Sequence, residues 1–328
     1  MLKRLVNEAR FSLIIETKGP LLIQSGHATL TGPNMTPVLT YRLGGSQVYI
    51  PGSSLKGVFR SHLEKVMRTL RPDDVIVADP FKRADEPDQS CGAWFMQRKQ
   101  AGEQLDNATI YADSDPVSRL FGSTSFIGRI SIGDGYLFDP EQARYLRGKQ
   151  LPTELRDGVG IDRLTGGQSH GALFNLSAVT SSTVFRTDVL IRNFECWQLG
   201  AILLVVQDMQ DELIRLGSGT SRGLGAVVGA VEQLDIHHIG PTPSREDREI
   251  WGLGHFIGES SPYGTYADDS LKLDMAPSEA RRGIRQVLSF TAKETQESLE
   301  HLIERAIEEF IRRIDVYPVY KHRGEVPL

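Results

Sequence analysis

The feature that most constrains this chain is the order of its apolar patterns. Strand-like runs come before and after helix-like runs, with no regular strand–helix alternation. That order favours an α+β sheet with helices on one face over a doubly wound parallel sheet. Residues 11–15 and 48–50 read as buried strands. Between them, residues 19–47 are rich in Gly, Pro, Thr and Ser and read as a long loop or hairpin. Residues 51–70 read as a helix, because Leu55, Val58, Phe59, Leu63, Val66, Met67 and Leu70 keep the helical period. Ser53 or Ser54 is the expected N-cap.

Further along, residues 71–115 mix charge, Pro and Gly without a period and read as a partly mobile insertion. Leu120 and Phe121 end a short helix. Residues 129–132 and 136–138 read as strands. Residues 140–175 read as a projecting hairpin, and 184–191 alternate like a strand. Residues 201–206, apolar throughout, read as a fully buried strand, and residues 226–234 as the last one. Residues 240–283 read as irregular. A helix is expected over 288–314 from the stripe Leu299, Leu302, Ile303, Ala306, Ile307, Phe310, Ile311 and Ile314. The expected division is a core over 1–235 and a C-terminal extension over 236–328 that ends in this helix. There is no internal repeat.

Composition narrows function less than charge does. The 328 residues are 40% hydrophobic and 24% charged, with a net charge of −5. An acidic whole argues against a uniformly basic nucleic-acid binder. Residues 1–70, however, hold nine Lys/Arg against three acids, or +6, which leaves −11 for the rest. A basic face can therefore coexist with an acidic whole. Cys91 and Cys196 have no metal-ligand spacing and read as free thiols of a reducing, cytoplasmic setting. No apolar run spans a membrane, and no secretory leader is evident. No cofactor or metal site is expected.

Three segments could hold anions. Residues 50–60 run a strand into a helix whose first turn carries Ser53, Ser54 and Lys56, with Arg60 one turn on. Free N–H groups at a helix start attract phosphate. Residues 215–225 carry Gly217, Gly219, Gly223 and Gly225 beside Ser221 and Arg222, so a bare backbone can approach phosphates closely. A strand follows these glycines rather than a helix, which speaks against a dinucleotide loop. Residues 160–174 place Ile161, Arg163 and Leu173 on the projecting hairpin. Each segment taken singly also fits a capped helix, a hairpin turn or a surface loop. His237 and His238 are adjacent, so on a strand they face opposite ways and cannot share a metal.

Taken in order, these segments resemble a known family. Pro51-Gly52-Ser53-Ser54-Leu55-Lys56-Gly57 comes first, then Leu120-Phe121-Gly122 with Gly128-Arg129-Ile130 and Gly133-Asp134-Gly135. Gly160-Ile161-Asp162-Arg163 with Gly171-Ala172-Leu173-Phe174 follows, and Leu216-Gly217-Ser218-Gly219 with Gly223-Leu224-Gly225 closes the series. Over about residues 10–235 the chain resembles the RAMP superfamily, in particular the Csm/Cmr-like backbone subunits of type III CRISPR effectors. The resemblance implies a ferredoxin-like (RRM-like) antiparallel core with long insertions and a thumb hairpin. It implies RNA-binding roles for Ser53, Ser54, Lys56, Arg60, Gly219, Ser221, Arg222 and Gly223, and for Ile161, Arg163 and Leu173 on the thumb. The implied partners are guide CRISPR RNA, complementary target RNA, other effector subunits, and further copies stacked along the guide.

Catalysis is where the chain departs from the pattern. Target-cutting members carry an aspartate in the loop after the first strand. Residues 21–38 contain no Asp or Glu, and His27 falls about where that aspartate is expected. His27 is the one catalytic candidate. Two other readings stay open: a RAMP-fold endoribonuclease using His27 with Lys56, and a scaffold subunit that never touches RNA.

Overall fold

A computed structural model describes residues 3–26, 32–82, 89–242, 248–258, 262–274, 278–291 and 296–319. In chain order its first elements are β1 (Asn7–Thr17), β2 (Leu39–Arg42), β3 (Gly45–Ile50) and α1 (Gly52–Leu70). Then come α2 (Cys91–Gln100), α3 (Asn107–Ala112), α4 (Pro116–Phe121), β4 (Gly122–Ser123), β5 (Phe126–Ile127), β6 (Ile130–Ile132), β7 (Gly135–Asp139) and β8 (Arg144–Tyr145). β9 (Thr153–Ile161), β10 (Gln168–Val179), β11 (Val184–Arg192), α5 (Cys196–Gln210) and β12 (Val227–Ile239) follow. The C-terminal part adds β13 (Glu249–Trp251), α6 (Leu253–Ile257), β14 (Ser270–Lys272), β15 (Ser278–Arg282), β16 (Arg285–Thr291) and α7 (Gln296–Asp315).

The main sheet runs β15-β16-β12-β1-β11-β7-β3-β2, with β6 also on β11 and β8 on β7. Its pairings are antiparallel. Strand alternation divides β1 by face. Ala9, Phe11, Leu13 and Ile15 are buried, while Arg10, Ser12, Ile14 and Glu16 lie on the other face and are less covered. The buried face meets Leu55, Phe59, Leu63 and Met67 of α1 and the apolar residues of α5 and α7 in one core. Among the described residues the opposite face carries no helix of this core and stays open.

Four sequence expectations change. Residues 201–206 are not a strand but the middle of α5, which is buried nearly all round. A run apolar on every side suits a buried helix as well as a buried strand, and length decides between them. Glu195 and Gln198 start α5 with a reciprocal capping box. The second change is over residues 71–115, where α2 and α3 form although no period marks them. Phe95, Cys91, Ile110 and Ala78 bury a small satellite core there. Short helices closed by side-chain caps, here Ser90 and Asp106, do not need a long apolar stripe.

Third, residues 285–291 are strand β16, so the C-terminal helix starts at Gln296 rather than 288. Fourth, position 235 falls inside β12, and β16 pairs with β12 across it. Leu299, Leu302, Ala306, Phe310 and Ile314 belong to the same core cluster as β1. His238 bolts this region down. Its Nε2 accepts the Trp251 N–H at 3.1 Å, so its Nδ1 donates to Gln286 Oε1 at 3.1 Å. Burial lowers its pKa to about 4, keeping the ring neutral.

A buried polar cluster ties residues 107–121 to α5 and α7. Tyr111 donates to Glu195 at 2.7 Å, Gln198 donates to the Tyr111 hydroxyl at 3.1 Å, and Arg119 lies 3.7 Å from Glu195. Tyr317, just past α7, donates to the Ser114 carbonyl at 3.0 Å. Asp269 accepts the N–H groups of Cys196 and Gly254, both at 2.8 Å.

Candidate nucleic-acid interface

The start of α1 differs in detail from the sequence reading. Pro51 is the N-cap, and Ser53 and Ser54 lie inside the first turn. The cap is supplied from afar: Asp134 accepts the Gly52 N–H at 2.8 Å. Gly52 must be glycine because a Cβ there would meet the Ile132 carbonyl at 2.3 Å. An internal carboxylate therefore already holds part of the helix N-terminus, and side chains carry most of the anion-binding capacity. Lys56 reaches the Ile130 carbonyl at 3.4 Å, and burial together with nearby Arg60 lowers its pKa. Arg60 is committed inward, to Glu64 at 3.0 Å and the Gly122 carbonyl at 3.2 Å.

Lys56 stands where two clefts meet. One, of about 650 Å³, lies between α1 and the β4–β5 turn and includes Arg60. The other, of about 850 Å³, lies between α1, β6 and the N-terminal segment. It gathers Lys3, Arg4, Lys56, Arg129 and Arg192. Among the described residues, no carboxylate and no imidazole lines either cleft. Arg192 reaches out of the cleft to Glu8 at 3.0 Å. Arg129 is buried against the Tyr111 ring at 4.6 Å, and its Nε and Nη2 have no hydrogen-bond partner. Asn193 holds the N-terminal segment in place, donating to the Arg4 carbonyl at 2.7 Å and accepting the Val6 N–H at 2.9 Å.

Such a cleft can hold a polyanion through its phosphates. Sequence reading found Lys56 and Arg60 but missed Arg129, Arg192 and the placement of Lys3 and Arg4. Arg129 was marked only as part of the Gly128-Arg129-Ile130 segment; for the others the local signal was the cationic excess near the N-terminus, because Arg192 arrives through the sheet.

The other two segments meet each other at the Thr17 end of β1. Gly217, Gly219, Gly223 and Gly225 all have positive φ, between 74° and 84°. At Gly217 a Cβ would meet the Leu22 carbonyl at 2.3 Å, and at Gly225 the Leu216 carbonyl at 2.1 Å. The loop is thus pressed onto residues 20–22, to which Ser218 and Gly225 donate their N–H groups. Ser221, Arg222 and Gly223 are exposed, and Arg222 sits 5.4 Å from the Phe174 ring. Leu22, Leu176, Ala178 and Leu224, with Met35 and Phe174, make one small apolar cluster. The loop after β1, the base of the β9–β10 hairpin and the glycine loop are therefore one unit.

The hairpin beyond its base is bare. Ile161, Arg163 and Leu173 are exposed, and Leu164 at the turn is 98% exposed. The turn itself is ordered by Asp162, which accepts the Leu164 and Thr165 N–H groups at 2.8 and 2.9 Å. Those bonds hold its carboxyl below the usual carboxylate range.

The Lys56 cleft and the glycine loop are not brought together. Gly52 packs on Ile132, which pairs with Val189 and through it with Phe11, whereas the Ala226 carbonyl that ends the loop accepts the Lys18 N–H. Seven residues of strand separate the two levels, on the order of 23 Å. His27 lies outside the described residues. The flanking Leu22 and Met35 pack at the glycine-loop end, away from Lys56.

The family model of the RAMP superfamily matches residues 14–228. No curated protein matches the chain.

Proposed function

The chain belongs to the RAMP superfamily, whose members point to a CRISPR-associated, RNA-binding role, and from that premise we propose that it is a guide-RNA-binding filament subunit of a Csm/Cmr-like type III ribonucleoprotein complex. In this reading Lys3, Arg4, Lys56 and Arg192 hold guide phosphates in the cleft beside α1. Arg222 and the backbone of Gly219, Ser221 and Gly223 hold them again at the other end of β1. Phosphate contacts give affinity without sequence choice, and base pairing to the guide selects the target. Complementary target RNA, neighbouring effector subunits and further copies of this chain are the partners.

The observation that carries the reading is the pair of joined clefts, rich in cations and lined by no carboxylate among the described residues, on a protein of net charge −5. Two features of the fold support its finer points. In chain order β1, α1, the β6–β7 segment, β11, α5 and β12 make a β-α-β-β-α-β run, and their spatial order is β12-β1-β11-β7. That arrangement fits a ferredoxin-like core. The β9–β10 hairpin forms a two-stranded sheet of its own, bridged at its base to Leu21 and Met35, and exposes Ile161, Leu164 and Leu173, as a thumb wedging into a guide–target duplex would.

The test is whether the purified chain carries RNA. Expected is a high 260/280 nm absorbance ratio that falls after nuclease treatment, and rebinding of two unrelated single-stranded RNAs with similar affinity. A chain that purifies free of RNA and binds neither overturns the reading.

A further inference from the structure

The open face of the sheet carries a second concentration of chemistry, separate from the cleft residues. Register partners share a face of a sheet. Tyr49 pairs with Tyr136, Tyr136 with Arg186, and Arg186 with Ile14, whose alternation with Leu13 and Ile15 puts the row on the open side. Phe138 pairs with Tyr145, which places that ring on the same side. Tyr49 and Tyr136 stack at 6.2 Å between centroids, and Tyr136 and Tyr145 meet edge to face at 6.4 Å. The Arg42 guanidinium sits 4.1 Å from the Tyr136 ring and 4.4 Å from the Tyr145 ring.

Arg42 is the telling member. Its Nη1 is shielded from solvent and has no hydrogen-bond partner, and no carboxylate pairs with it among the described residues. A guanidinium held by ring faces rather than by a carboxylate keeps its positive charge uncompensated for an anion brought from outside. Beside it a groove of about 1040 Å³ continues along the face past Phe138 and Arg186 to Ser131 and Leu190, which it shares with the cationic cleft. Its carboxylates are already engaged: Asp188 by Ser12 at 3.0 Å, Asp235 by Ser289 at 2.7 Å, Glu232 by Arg186 at 4.0 Å.

We propose that Tyr49, Tyr136 and Tyr145, with Arg42, form a platform for unpaired bases of single-stranded RNA, next along the same strand from the phosphates in the Lys56 cleft. The inference rests on the RNA-binding reading above. The rings supply stacking surfaces that any base can use, and Arg42 supplies the charge for the phosphate between two stacked bases.

The experiment compares a short single-stranded RNA with a strand of equal length carrying abasic ribose phosphates. Both offer the same phosphates, and only one offers bases. The wild-type chain should prefer the base-bearing RNA by about tenfold or more, since each stacked base contributes ~1–3 kcal/mol. Tyr136→Leu/Tyr145→Leu should lose that preference and keep its affinity for the abasic strand, and Tyr136→Phe should retain the preference. Ultraviolet crosslinking of the wild-type chain should attach RNA to peptides spanning 45–50 and 132–146. A preference that survives in the double variant, or a wild-type chain without one, overturns the platform while leaving the cleft intact. So does a double variant that binds both RNAs normally but loses self-association, which would give this face to a second copy. A wild-type chain that binds neither RNA overturns the parent reading, and the platform with it.

Discussion

Gly200 lies in α5 where α7 crosses it, and replacing it with alanine sets two physical effects against each other. On helix propensity alone, Ala in place of Gly stabilises by about 1 kcal/mol. In this fold, however, the new Cβ would lie 1.8 Å from the Ala306 carbonyl oxygen, 2.5 Å from its carbon and 3.0 Å from the Phe310 Cβ. Restoring ordinary contact requires α7 to retreat by about 1.6 Å. That retreat loosens Leu302, Ala306, Phe310 and Ile314, all fully buried. Overpacking of this kind costs ~1–3 kcal/mol or more, and gaps of an ångström forfeit much of the dispersion energy of the contacts they open. The net expectation is destabilisation by about 2 kcal/mol, or a Tm lower by about 3 °C in a chain of 328 residues. Thermal unfolding followed by circular dichroism or calorimetry measures it. An unchanged or raised Tm would mean that propensity wins. In that case α7 is not seated on α5, and the residues beyond 235 do not share the core.

Other outcomes follow from single side chains. Asp134→Ala removes the acceptor of the Gly52 N–H, so the variant should lose about 1 kcal/mol in denaturant titration, with no loss of RNA affinity; an unchanged midpoint contradicts the cap. Burial, and then nearby Glu195, push the Asp269 carboxyl up to about 7. Between the ordinary carboxylate range near 4 and pH 7 the folded state therefore holds a proton that the unfolded chain has released, so this group's contribution to stability declines as pH rises. Asp269→Asn cannot ionise, so it should lose less stability than the wild type between pH 5 and 8; parallel curves would contradict the shift.

What could be read from the sequence depended on how far each signal reaches along the chain. The α7 stripe from Leu299 to Ile314 and the α1 stripe from Leu55 to Met67 were legible because one face of each helix is polar. α5 was not, because burial on all sides erases the period that separates helix from strand. α2 was invisible for the opposite reason: it buries only Cys91, Gly92 and Phe95 and depends on the Ser90 cap. In the candidate site, Lys56 and Arg222 stood out through neighbouring glycines and serines. Arg192 carried no such mark. It lines the cleft because β11 runs antiparallel to β1 in the register Glu8↔Arg192, a long-range fact that no local pattern states. The Asp134 cap of α1, 82 residues away in sequence, was hidden in the same way.

The central claim, that joined cationic clefts hold RNA by its phosphates, is tested most directly by the salt dependence of binding. Apart from Arg42 of the proposed platform, Lys3, Arg4, Lys56, Arg192 and Arg222 are the cations placed to meet phosphates. Five contacts on a single strand predict a slope of log affinity against log salt of about −3.5. Lys56→Ala/Arg192→Ala removes two of them, so the slope should fall to about −2, by the same amount for unrelated sequences. A wild-type slope near zero, or a double variant with an unchanged slope, would contradict the account.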